Sequence, residues 1–152
     1  MDDTGNAATA VFGLLFTVIG VLSYFAVLFG AYALVAWFRS RIFHKAGIAP
    51  WKAWVPIYNN WVVLEMGGQP GWLAVLSVVP LANIVALVFL CIAVYHLGAG
   101  FGKPGVGWLL LYLFLPLVWL IILAFDDSRW EPHRMEVSPL YGSNVPPPTP
   151  AA

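Results

Sequence analysis

The side chains able to do chemistry are few in this chain and stand far apart. His44, His96 and His133 match no HExxH or Cys-His spacing, so they offer no metal signature. Cys91 is the single cysteine and lies inside an apolar run, which excludes an internal disulfide and a cysteine metal cluster. Ser23 and Ser77 also sit in apolar runs, without an acid-base partner at recognisable spacing, and a serine there ordinarily bonds to backbone or packs against a neighbour. The glycine-rich FGKPGVG lacks the frame of a phosphate-binding loop. The expectation is a protein that is not an enzyme and carries no cofactor and no metal. The polar groups that remain are Asn59, Glu65, Asn83 and Lys103, each beside or within apolar sequence. Such groups mark a pathway or hold helices together, and the structural role is the favoured reading.

The elements that carry these groups belong in lipid. Of 152 residues, 61% are hydrophobic and 9% charged, against about 25% charged in soluble proteins. A soluble fold of this size has no way to hide that much apolar surface. Formal net charge is zero, and its uneven spread speaks of topology rather than of nucleic-acid binding. The reading is an all-α membrane protein with about three transmembrane helices and an interfacial helical segment on the cytoplasmic side. The spans are expected near 10–38, 72–97 and 107–125, and the interfacial segment over 50–66. Residues 1–8 then form an extracytoplasmic tail, 9–125 the membrane domain, and 126–152 a disordered, Pro-rich cytoplasmic tail. The acidic start of the chain is unlike a secretory signal, so the first apolar run is expected to be retained.

Between Arg39 and Trp72 stand four of the seven basic residues and four of the eight tryptophans. Arg39, Arg41 and Lys45 close the first helix, where cations complement the dipole and reach the headgroups. Trp51, Trp54, Tyr58 and Trp61 recur at helical spacing, which suits a segment lying in the membrane surface. Arg39, Arg41, Lys45, Trp51, Trp54 and Trp61 are therefore the expected interface anchors. Three basic residues fall short of the four to eight of a dedicated lipid-recognition cluster, so their topological role is favoured over anionic-lipid binding. Pro56 should break the stripe into two short helices. With three spans and an outside N-terminus, six basic residues face the cytoplasm and only Lys103 faces out, which favours the N-out, C-in arrangement.

Two punctuation marks recur. V-P-x-x-N appears at Val55–Asn59 and Val79–Asn83, and G-x-P-G at Gly68–Gly71 and Gly102–Gly105, each followed by a Trp-Leu pair with a proline eight residues past the tryptophan. A weak inverted repeat with broken helices is a transporter-like feature, although chance among common turn residues is the favoured account. In the first span Gly13, Gly20, Ser23 and Gly30 fall on one face, where small residues let helices approach, foremost within the chain and otherwise in a dimer.

The run AWF, RIF, KAG, WKAWVPIYN, GQPGW, Pro80, Asn83 and FGK, within residues 36–125, resembles an uncharacterised family of small bacterial integral membrane proteins. A similar module is fused ahead of the catalytic domain in some bacterial signal peptidases. The resemblance implies a bacterial plasma-membrane setting; this chain shows no serine-lysine signature, so peptidase activity is not carried over. The expected function is that of a structural or interaction module in the cell envelope, with a small transporter or channel-like homo-oligomer as the alternative. Its expected partners are the lipid bilayer and another membrane protein or a second copy of itself, with no nucleic acid.

Overall fold

A computed structural model describes residues 3–136 and 139–140. The chain divides into two compact units, residues 1–34 and 35–152. Helix α1, Asp3–Lys45, supplies all of the described part of the first unit and opens the second. Four further α-helices follow: α2 (Tyr58–Met66), α3 (Ala82–Gly100), α4 (Val106–Phe114) and α5 (Pro116–Phe125). Short 3-10 helices occupy Pro50–Trp54, Gly71–Val78 and Pro132–Arg134, and the described residues contain no strand. The protein is an all-α membrane protein: α1 from Gly5 onward and α3 are each long and apolar enough to cross a bilayer.

In the first unit the helix already begins at Asp3, so the described part of the expected tail over 1–8 is helical. Residues 5–31 are exposed, and a Cβ added at Gly13, Gly20 or Gly30 would meet no atom within 4 Å. Lipid is the solvent that suits such a surface.

The second unit repeats one device. A helix ends on a glycine in the left-handed region, and the N–H just beyond it reaches back to the carbonyl five residues earlier. Ile48 donates to Phe43 (2.8 Å), Gln69 to Leu64 (2.8 Å) and Lys103 to Gly98 (2.6 Å), around Gly47, Gly68 and Gly102 with φ of 70°, 75° and 72°. Only glycine takes that conformation without penalty, and the bonds satisfy carbonyls that a helix end leaves open. Prolines follow at Pro50, Pro70 and Pro104, then a short helix, then a second proline at Pro56, Pro80 and Pro116 that breaks it. Two of these breaks share one backbone path. Val55 and Val79 are extended, as residues before proline must be, and Ile57 and Leu81 carry φ of 65° and 70°. Asn59 and Asn83 then donate their backbone N–H groups to Val55 (3.0 Å) and Val79 (2.9 Å) and start α2 and α3. The V-P-x-x-N likeness thus has a shared conformation behind it, and the G-x-P-G copies share the glycine cap.

A positive φ at a residue other than glycine costs on the order of 1–3 kcal/mol. Leu81 is 85% exposed, so its side chain gives little packing in return. Leu81→Gly is therefore expected to raise stability by about 1 kcal/mol after the flexibility of glycine is charged against it, read as a higher melting temperature in detergent.

The expected spans change accordingly. Residues 72–97 are not one helix: a 3-10 segment over Gly71–Val78 precedes α3, because Pro80 leaves no N–H to continue the ladder. Residues 107–125 are α4 and α5, bent by 119° at Leu115, and the two ends of this hairpin meet, since Lys103 pairs with Asp126. α1 and α3 are thus the two helices long enough to cross on their own, and the bent pair makes a third span when its two halves are taken as one, or a re-entrant loop. Residues 126–136, expected within a disordered tail, instead pack on the end of α3: Glu131 N–H donates to Gly100 (2.8 Å), and the buried Trp130 ring stands 5.0 Å from that of Phe101. Gly100 makes room for that indole, whose Cζ3 would lie 2.6 Å from an added Cβ. The rest of the expected tail, residues 137–138 and 141–152, lies outside the described residues.

Candidate functional site

Two polar sites emerge in the second unit. The first is a notch of about 70 Å³ where α2, the Gly71–Val78 segment and α3 come together. Asn60, Ser77 and Asn83 give it polar atoms, and Leu64, Ala74, Ala86, Leu87 and Leu90 complete its wall. It exists because α2 and α3 cross closely at Gly67, where even a methyl group would overlap the Ala93 backbone. Asn60 Oδ1 accepts a hydrogen bond from Arg39 Nη1 at 2.8 Å, and Ser77 Oγ donates to the Ala74 carbonyl at 2.6 Å. Below the crossing, Trp61 Nε1 donates to Glu65 Oε1 (2.7 Å), and His96 Nδ1 lies 3.1 Å from the Gly67 carbonyl.

The second site is the meeting point of three helix ends. Lys45 Nζ donates to the Leu123 carbonyl (2.8 Å) and to that of Asp126, so the last turn of α1 caps the end of α5. The Asp126 carboxylate binds Lys103, whose ammonium also stands 5.6 Å from the Trp108 ring centre. The Lys103 hydrogen bond holds the Asp126 carboxyl below its ordinary pKa. Beside this knot Arg41 lies over the rings of Trp37 (5.3 Å) and Phe125 (4.8 Å), next to an open recess lined by Ser40, Arg41, His44, Lys45, Pro50 and Ala124.

The sequence-predicted residues distribute unevenly over these sites. Asn83 lines the notch, whereas Asn59 is buried at 7% exposure at the start of α2 and is not among the residues lining it. Glu65 is tied to Trp61, and Lys103 to Asp126. Of the expected anchors, Trp51 and Trp54 are exposed, and Trp51 stacks on Tyr58 at 6.3 Å. Arg41 is exposed, but Arg39, Lys45 and Trp61 are engaged in bonds inside the unit rather than reaching freely for headgroups. The expectation that Lys103 stands alone on the face opposite Lys45 is overturned, because both bind Asp126. The cause is again the bend at Leu115. Asn60, Ser77 and Asp126 are site residues that the sequence does not single out: Ser77 bonds locally to the Ala74 carbonyl, while only the tertiary fold brings Asn60 and Asp126 to their partners.

Against known proteins, the profile of one family matches residues 51–132, more than half of the chain: the family of unknown function (DUF5684). No curated protein and no solved structure matches.

Proposed function

We infer that this chain, which belongs to the family of unknown function (DUF5684), works as a structural or interaction module of the bacterial cell envelope and performs no chemistry of its own. It is a membrane protein, with helices apolar and long enough to cross. One observation carries the reading: its polar side chains are used to hold the fold. Arg39 bonds Asn60, Trp61 bonds Glu65, Lys45 caps α5 and Lys103 pairs with Asp126. Among the described residues no group of three His, Cys, Asp or Glu could hold a metal ion. What faces outward is apolar surface for lipid and for a partner chain, either another membrane protein or a second copy.

The orientation we propose keeps the N-terminus outside. Arg41, Lys45 and Lys103 lie around the knot at Asp126, and residues 129–134 are tied to it through Gly100. A face so rich in Lys and Arg belongs in the cytoplasm, and the membrane we assign is the bacterial plasma membrane.

The notch favours a second reading, a small transporter, because Asn60, Ser77 and Asn83 converge between broken helices. Native mass spectrometry in mild detergent, paired with melting curves over a solute panel, separates the two. The module reading expects a retained stoichiometric complex and a melting temperature indifferent to solute. It fails if the chain forms a closed homo-oligomer whose melting rises with one solute and loses that response in Asn83→Leu.

A further inference from the structure

We propose that the recess at the C-terminal end of α1 binds a phosphate group, carried by an anionic lipid headgroup or free in solution. The recess measures about 390 Å³ and is lined by Ser40, Arg41, His44, Lys45, Pro50 and Ala124. Its polar lining is a hydroxyl, a guanidinium, an imidazole and an ammonium, a donor set that suits phosphate oxygens.

Arg41 is the central group. Its guanidinium lies against two aromatic rings, 5.3 Å from the Trp37 ring centre and 4.8 Å from that of Phe125. These cation–π contacts hold the guanidinium in place, and arginine recognises phosphate through its N–H edges in a bidentate manner. Among the described residues neither Arg41 nor His44 forms an ion pair, whereas the carboxylate of Asp126 is engaged by Lys103. Lys45 is turned toward the Leu123 and Asp126 carbonyls and contributes positive potential to the recess. Asp126 and Asp127 are the acidic groups that act on Lys45, and Arg41 and Lys103 are the basic ones.

The end of a helix is a negative pole, which would oppose an anion. Here the turn beyond Lys45 softens that pole. The carbonyls of Ile42, Phe43 and His44 accept from the N–H groups of Ala46, Ile48 and Gly47. Depth supports a headgroup as the source, since Trp51 adjoins Pro50 at 60% exposure, and exposed tryptophans settle at the headgroup level. Too few cations gather here for a polybasic field, so the geometry describes one saturable site rather than diffuse attraction to a charged surface. The inference stands apart from the choice of protein partner.

The test uses the full chain in maltoside detergent, titrated with dioctanoyl phosphatidylglycerol, dioctanoyl phosphatidylcholine or inorganic phosphate, with native mass spectrometry and melting as readouts. One phosphatidylglycerol should bind per chain and raise the melting temperature. Arg41→Gln should weaken binding about tenfold or more, as loss of a charged hydrogen bond does, while Arg129→Gln should leave it unchanged. Binding of phosphatidylglycerol that phosphate does not displace assigns the site to lipid; displacement by phosphate assigns it to the free anion, and both uphold the site. His44→Gln gives a second reading should Arg41→Gln not fold. The proposal is overturned if phosphatidylcholine binds as well as phosphatidylglycerol, or if both variants bind like the unaltered chain.

Discussion

Gly67→Ala is expected to be the most damaging single methyl group in this protein. Its Cβ would lie 2.3 Å from Ala93 Cα, 2.5 Å from Ala93 Cβ and 2.6 Å from the Ala93 carbonyl oxygen. Two of those three atoms are backbone, so no side-chain rotation relieves the overlap and α2 must move away from α3. Overpacking ordinarily costs 1–3 kcal/mol, and a backbone collision at the crossing that shapes the notch belongs at the upper end, about 3 kcal/mol. The Leu64, Leu73, Ala74 and Ala93 cluster would open with it. Adding Ala93→Gly should rescue only in part, because the Cα and the carbonyl remain. Gly107→Ala, where a Cβ meets nothing within 4 Å, should instead be stabilising within α4 by about 1 kcal/mol. Melting curves in detergent give all three, and a Gly67→Ala protein that melts like the unaltered chain would show the crossing to be wrong.

Asn60→Leu should also lower the melting temperature clearly. From sequence this asparagine stands one residue off the V-P-x-x-N pattern and reads as solvated, with Asn59 as the amide that matters. The fold reverses that ranking in one respect: Asn60 is the residue that accepts Arg39 Nη1, at 2.8 Å. A hydrogen bond to a charged donor contributes about 1.5–3 kcal/mol, and leucine removes this one bond to the part-buried Arg39 guanidinium. Asn60→Asp, which keeps an acceptor and adds a charge complementary to Arg39, should retain most of the stability. Equal melting of the leucine and aspartate variants would remove the Arg39 bond from the account.

The long apolar runs, the cap glycines and the breaking prolines are visible in the sequence because each is a local rule. A run of about 20 apolar residues calls for lipid, and a proline cannot continue a hydrogen-bond ladder. What local rules do not contain is direction after a break. Pro116 announces an interruption, but the 119° bend and the Lys103–Asp126 pair that brings the two ends together belong to the tertiary fold. The same holds for the polar residues. Arg39 and Asn60 are 21 positions apart, Lys45 and Leu123 are 78 apart, and no periodicity joins such pairs. Trp130 falls in the stretch that composition assigns to a Pro-rich tail, yet its indole fits the space left by Gly100 and packs on Phe101.

The bent pair α4–α5 and the polar face shared by Lys45, Lys103 and Asp126 stand or fall on sidedness. In a Cys91→Ala background, Ala49→Cys and Pro104→Cys place single thiols at exposed positions just past the ends of α1 and α3. A membrane-impermeant thiol reagent, applied to sealed right-side-out and to inverted membrane vesicles, should label both positions from one and the same side, the cytoplasmic one. Labelling of Ala49→Cys from one side and of Pro104→Cys from the other would contradict the fold at its centre, and would return the chain to three crossings with Lys103 alone outside.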